Sequence, residues 1–376
     1  MSRARFPRRL RGAMAVLALA AAVASACTDD SASSDTTLAG PATSGTTVSP
    51  EPAESTSPPT TEAPQRALDR VRPPEANTVA ELLALRRPIV IAHAGGDFEA
   101  PHSTMFAFTT AALAGADVLE MDVMLTADRQ LVVQHDDTVD RTTEASGRVR
   151  DLDYGTLAAL DNAYWFAGDT WSNQGLDPGA YSLRGVRTGD RPAPEGFGPD
   201  DFRIETFRSV ATAFPDHVLD VEIKVPTGDD GQPDLAWAQE GAEALAAEIT
   251  ALGREESVIV VSFDDDVLTA FRAAAPTVAT SPGLDTLISW YGGAEVDFAP
   301  SDLVFQVPPF YAGVEVLTAP VIARAQADGF AVWVWMDDTS TQENEEFYIA
   351  MLDRGVDGLL VSRPSVAVDV VSGRSS

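Results

Sequence analysis

Short apolar runs recur along the chain, separated by stretches of helical spacing. The runs with strand character are Pro88–His93, Asp117–Val123, Val218–Val225, Val258–Phe263, Val278–Ser281, Leu303–Val307, Ala331–Trp335 and Gly358–Val361. The stretches with helical periodicity are Thr104–Ala114, Glu205–Phe214, Leu235–Leu252, Asp265–Ala275, Thr318–Asp328 and Glu343–Asp353. Ser103 is a candidate N-cap for the first of these and Gly115 its candidate stop. Continuous apolar strands alternating with helices mean a parallel sheet covered on its outer faces. Eight such runs predict a parallel (β/α)8 barrel, although an open doubly wound sheet would show the same alternation.

One segment breaks this rhythm. Residues 162–202, after the second strand region, are rich in Gly and Pro and carry Tyr164, Trp165, Phe166, Trp171 and Tyr181. A structureless loop of this length inside a compact domain is uncommon. We read it as an insertion over the barrel mouth.

The first 71 residues have a different character. Arg3, Arg5, Arg8, Arg9 and Arg11 precede an apolar stretch from Ala13 to Ala26, shorter than the roughly 20 residues a membrane helix needs. A basic start, a short apolar core and a small-residue exit predict a signal peptide over 1–26. Cys27, the only cysteine, follows at once. Ala24-Ser25-Ala26-Cys27 resembles a lipoprotein cleavage site, which predicts an exported protein tethered to the membrane surface through a lipid on Cys27, or else a secreted one. Residues 27–71 are Ser-, Thr- and Pro-rich and predict a disordered tether, because they cannot bury enough apolar surface to order themselves. A barrel domain over 72–366 and a C-terminal tail over 367–376 complete the expected organisation.

The formal charge is −31, and −36 once the five arginines of the leader are removed. Such a chain does not bind nucleic acid through phosphate neutralisation. An anionic substrate would need positive potential created locally. Lys224 is the only lysine, against 25 arginines. It stands at a strand end, where a compact ammonium suits a phosphate.

Active sites of (β/α)8 barrels lie at the C-terminal ends of the strands. The first strand ends in His93. The second carries Glu120 and Asp122 at a spacing of two, hence on one face. A short run, Leu131–Gln134, delivers His135. The third strand carries Asp220, Glu222 and Lys224 in the same alternation. Oxygen ligands from Glu120, Asp122 and Glu222 suit a hard divalent cation, Mg²⁺ or Ca²⁺, and His93 and His135 can serve as general base and general acid. Trp335 could pack against substrate, whereas Trp333 reads as core.

The ordered set His93-Ala-Gly-Gly, Pro101-His-Ser-Thr, Glu120-Met-Asp122, Gln134-His135-Asp-Asp, Asp140-Arg-Thr-Thr, Glu222-Ile-Lys224 and Asp357-Gly-Leu-Leu-Val-Ser-Arg-Pro364 resembles the glycerophosphodiester phosphodiesterase family over residues 88–364. The resemblance implies a TIM-type barrel and metal-dependent hydrolysis of a small-molecule or lipid phosphodiester. It implies metal ligands at Glu120, Asp122 and Glu222, a catalytic pair at His93 and His135, and a phosphate contact at Lys224. Two positions depart from the family pattern. Ala94 replaces the usual arginine after His93, and His102 the usual glutamate after Pro101. The paired loss suggests that His102 supplies positive charge or a hydrogen bond near the phosphate. The alternatives are a phospholipase D-like or sphingomyelinase D-like barrel, and a non-catalytic solute-binding lipoprotein.

Overall fold

The computed structural model describes residues 65–374. The expected signal peptide, Cys27 and most of the tether lie outside them. All eight predicted strands form: β1 (Ile89–Ala92), β2 (Val118–Leu125), β3 (Val218–Ile223), β4 (Val258–Val261), β5 (Ala279–Thr280), β6 (Val304–Val307), β7 (Ala331–Trp335) and β8 (Gly358–Val361). They pair in parallel in the order β5-β4-β3-β2-β1-β8-β7-β6. The remaining seam is closed by one bridge, Thr280 to Asp302, which makes the sheet a barrel and rules out the open doubly wound alternative.

A helix follows every strand: α1 (Met105–Ala114), α2 (Phe207–Ala213), α3 (Leu235–Leu252), α4 (Asp265–Ala274), α5 (Leu284–Tyr291), α6 (Ala319–Ala327), α7 (Glu345–Arg354) and α8 (Pro364–Arg374). Two were not foreseen. α5 is short, and α8 occupies most of what composition suggested was a tail, burying Ala367, Val370 and Val371. Thr104, not Ser103, caps α1, its hydroxyl accepting from Ala107 N–H at 3.1 Å, while Gly115 ends the helix at φ 98° as expected. Packing onto the barrel domain also includes residues before 72. Ala67 is buried and its N–H donates to Gly196 O at 2.9 Å.

Alternation along the strands separates two cores. Residues such as Leu119, Met121 and Val221 face outward onto the helices. Ile89, Ile91, Val118, Val218, Ile259, Trp333 and Leu360 fill the barrel interior and meet Val79 and Leu82 from a short helix, Val79–Leu83, at the lower end. Trp333 is core, as expected. It requires Gly358 beside it, since a Cβ there would lie 2.8 Å from the indole Cδ1. The same alternation carries Glu120, Asp122, Asp220 and Glu222 into the upper interior.

The insertion has its own small structure. Asn162 N–H donates to Phe202 O at 3.0 Å, tying its two ends together. Ala163, Val186 and Phe202 form its core, with Phe106 of α1 packed against them. The Arg184 guanidinium lies within 4.0–4.5 Å of the ring centroids of Tyr164, Trp165 and Tyr181. Asp169 reaches Arg363 at 2.7 Å, so the insertion spans from the β1 loop to the β8 loop.

Candidate active site

Parallel register sets Glu120 beside Asp220 and Asp122 beside Glu222 on the inner face of β2 and β3. The chain leaves β1 in a tight turn at His93-Ala94-Gly95-Gly96. Ala94 adopts φ 47° and the two glycines φ 81° and 90°. Side chains at the glycines would strike Ala107 or the Pro364 ring at 2.7–2.8 Å. The turn aims Ala94 N–H at Glu120 Oε2, 2.7 Å away. His135 arrives differently: Leu131–Val133 folds back antiparallel on β2, and the histidine follows it at the mouth.

Three of the four histidines converge. Ring centroids are 5.9 Å apart for His93 and His135, 6.3 Å for His93 and His102, and 5.6 Å for His102 and His135. His93 and His135 each hold a carboxylate on Nδ1, Asp97 at 3.2 Å and Asp136 at 2.8 Å. With Nδ1 held by a carboxylate, Nε2 of each ring is left to face substrate. Arg141 completes the second pair with a two-pronged contact to Asp136 at 2.7 and 2.8 Å. Trp171, from the insertion, packs on the His135 ring at 5.6 Å, which brings the insertion into the site.

Electrostatics refine two expectations. Burial opposes charge on His93, but Asp97, Glu120 and Asp122 outweigh it and raise its pKa to about 10. In this arrangement the carboxylates around the ring favour its protonated form. His102 sits in a different environment. It is fully buried, neither ring nitrogen has a hydrogen-bond partner, and burial together with the nearby Arg141 charge lowers its pKa to about 3. Such surroundings weigh against charge on the ring and leave a hydrogen bond as the contact it can offer. The buried cation at that side is Arg141, whose Nη1 has no hydrogen-bond partner.

Lys224 reaches both Asp122 and Glu222 at 2.9 Å. Burial works against its charge, yet the two carboxylates hold it firmly protonated. Glu120 is pushed up by burial and by Asp122, and Asp220, bonded by Gln306 at 2.8 Å, is raised to about 7 by burial. Four carboxylates thus crowd one small volume, and Asp122 Oδ2 is buried with no hydrogen-bond partner. As a donor set they fit a hard divalent cation. Among the described residues no three of these side chains close around a single point, because the Lys224 ammonium stands between Asp122 and Glu222. A cation seated there would require Lys224 to withdraw.

Every expected site residue except His102 lines one cavity of about 530 Å³ together with Trp171 and Trp335, or, for Asp122, lies directly beneath it through the Lys224 contact. Asp97, Asp136 and Arg141 were given no role from sequence, whereas Asp220 was expected on the inner face and Trp171 among the insertion aromatics that could pack substrate. Asp97, four residues after His93, and Asp136, next to His135, stand near enough in the chain to have been suspected, and Arg141 lies within the Asp140-Arg-Thr-Thr motif.

A parallel (β/α)8 barrel with paired histidines and a carboxylate cluster at the C-terminal ends of its strands defines a hydrolase of the barrel class. The sequence model of the glycerophosphoryl diester phosphodiesterase family matches residues 93–366, and the chain belongs to that family and is a phosphodiesterase. It is 26% identical over 287 residues to a glycerophosphodiester phosphodiesterase of Caldanaerobacter subterraneus, covering 76% of this chain and 98% of that protein. A glycerophosphodiester phosphodiesterase of Bacillus subtilis is 35% identical over 96 residues, 26% of this chain and 33% of that protein. In fold it resembles a glycerophosphoryl diester phosphodiesterase of Parabacteroides distasonis (TM-score 0.55, 20% identity, 80% and 94% of the two chains). It also resembles an Oleispira antarctica phosphodiesterase solved with its product sn-glycerol-3-phosphate (TM-score 0.54, 18% identity, 76% and 97%).

Proposed function

We propose that the enzyme hydrolyses glycerophosphodiesters to an alcohol and glycerol phosphate. The observation that carries this is the pair of carboxylate-held histidines, 5.9 Å apart, lining one cavity with Glu120, Glu222 and Lys224. Family membership and the product bound by the Oleispira relative support the substrate class. A solute-binding protein has no use for two such histidines, and the family match does not favour the phospholipase D-like and sphingomyelinase D-like readings.

In this reading Glu120, Asp122 and Glu222 hold Mg²⁺ or Ca²⁺, which when bound supplies Lewis-acid polarisation and orients the phosphate. Lys224, released from Asp122 and Glu222, pairs with a phosphate oxygen. One histidine takes the proton of the attacking water or glycerol hydroxyl as its oxygen bonds to phosphorus. The other gives its proton to the alkoxide as the bond from phosphorus to the departing alcohol breaks. With the glycerol hydroxyl as attacker, water opens the cyclic phosphate in a second, equivalent step. Trp171 packs on the His135 ring and shields part of it from solvent.

Dialysis against chelator followed by addition of Mg²⁺ or Ca²⁺ tests the metal part. Turnover of glycerophosphocholine should vanish and return, and Glu120→Gln should weaken metal binding measured by calorimetry. Full turnover in excess chelator would refute it. Export and membrane attachment through Cys27 belong to the same proposal, and Cys27→Ala should move the protein from the membrane to the soluble fraction.

A further inference from the structure

The cavity at the mouth is larger than a phosphate and a glycerol require. From the histidines and Lys224 it continues past Trp335 over the top of β6, touching Gln306 on its inner face and Phe305 on its outer one. It therefore leaves the barrel axis and enters the layer beneath α5 and α6. Leu287 and Ile288 of α5 and Val321 and Ala325 of α6 line this arm. Protein interiors are close-packed, and voids of this size are not left by imperfect packing. A large apolar cavity joined to a few convergent polar groups is the form of a ligand site.

The rim is apolar as well. Phe263, which meets Trp335 edge-on at 6.0 Å between centroids, is 48% exposed. Beyond β6 a two-stranded hairpin, Phe310–Tyr311 with Val314–Glu315, turns through Ala312 and Gly313 at positive φ. It puts Tyr311 on the cavity while Phe310 and Val314 remain 40% and 42% exposed. Large apolar side chains kept in water around the entrance of an apolar arm suit a substrate that arrives with hydrocarbon of its own.

Resting on the diesterase reading above, we infer that the arm between α5, β6 and α6 binds a single acyl or alkyl chain carried by one alcohol of the phosphodiester. The enzyme then prefers single-chain phosphodiesters to fully water-soluble ones. The reaction is unchanged: water adds its oxygen to phosphorus, the bond to the departing alcohol breaks, and that alcohol leaves with a proton. The chain can belong to the glycerol, as in a lysophospholipid, or to the departing alcohol.

The test uses the full chain and hexyl-, octyl- and decylphosphocholine below their micellar concentrations, titrated by tryptophan fluorescence. A chain that enters the arm should lower Kd by up to roughly fourfold for each added methylene. Leu287→Trp and, as an independent second variant, Ile288→Trp should flatten that dependence by filling the arm. A Kd indifferent to chain length in the wild type, or a dependence that both folded variants retain in full, overturns the inference. Turnover of glycerophosphocholine, its 1-acyl form and a glycerophospho-decanol is measured alongside. A higher kcat/KM for one of the last two identifies which alcohol bears the chain, and equal kcat/KM for all three refutes the preference. Absence of any turnover beside a clear chain-length dependence in Kd would instead count against the diesterase reading alone.

Discussion

Replacing Asp136 with asparagine tests the arrangement that holds His135. The carboxylate accepts two bonds from Arg141, at 2.7 and 2.8 Å, and one from His135 Nδ1 at 2.8 Å. Both partners of the ion pair are about one-fifth to one-quarter exposed, so solvent screens the pair only in part. Burial alone would raise the Asp136 pKa, but His135 and Arg141 hold it far below the usual carboxylate range. Asparagine keeps the shape and can accept one guanidinium N–H, but it loses the charge and leaves Arg141 buried with a neutral partner. Breaking a largely buried pair costs about 3–5 kcal/mol, and retention of one hydrogen bond reduces this to about 2–3 kcal/mol. For a domain of about 300 residues this lowers Tm by about 3–5 °C, given about 2 cal/mol/K of unfolding entropy per residue. The asparagine amide also donates to Nδ1 and so leaves the proton on Nε2, the tautomer opposite to the one a base needs. If His135 is the base, kcat on an unactivated diester should fall by about 10²-fold or more; if it is the acid, the fall should be smaller. Calorimetry and steady-state kinetics on the same preparation provide both readings. A variant with unchanged Tm and unchanged kcat would refute the Arg141–Asp136–His135 chain as a determinant of either.

The remaining predictions are simpler. His93→Ala and His135→Ala should each lower kcat by about 10²–10⁴ without loss of fold, and a nitrophenyl leaving group should rescue only the variant that lacks the acid; near-normal turnover of glycerophosphocholine by either variant would make that histidine structural. His217 is buried beneath the barrel away from the site, and burial lowers its pKa to about 4 from an unfolded value near 6.5. Its contribution is fully present above about pH 6.5 and is lost as pH falls toward 4, by up to about 3 kcal/mol. Urea unfolding of His217→Gln should therefore show a flatter pH dependence across that window than the wild type, and parallel curves would refute the assignment. Because His102 is buried and neutral, His102→Gln should differ from the wild type in KM by the same factor at every pH from 5.5 to 8. His102→Glu, which buries a carboxylate beside an anionic substrate, should be the more damaging, and a wild-type advantage over Gln that fades with rising pH would restore the charged role.

What the sequence determined by itself was set by local pattern. Parallel barrel strands are buried on both faces, so they appear as short apolar runs, and all eight were legible to within two residues at each end. Strict alternation then put Glu120 and Asp122 on one face, and likewise Asp220, Glu222 and Lys224, so the carboxylate cluster and the lysine were readable before any coordinate. α8 was not, because Ala367, Val370 and Val371 gain their helical meaning only from the barrel wall they cover. Tertiary structure alone decided the pairing of β2 with β3, which sets Lys224 between Asp122 and Glu222. It alone decided that Arg141 steadies Asp136, and that Trp171 crosses from the insertion to His135. His102 shows the difference most directly. A histidine beside a missing arginine suggests a replacement cation, but charge depends on solvation, and solvation depends on every element packed around the ring. The apolar arm was equally invisible, since it is a space left between α5, β6 and α6, and a space has no residue of its own to be read.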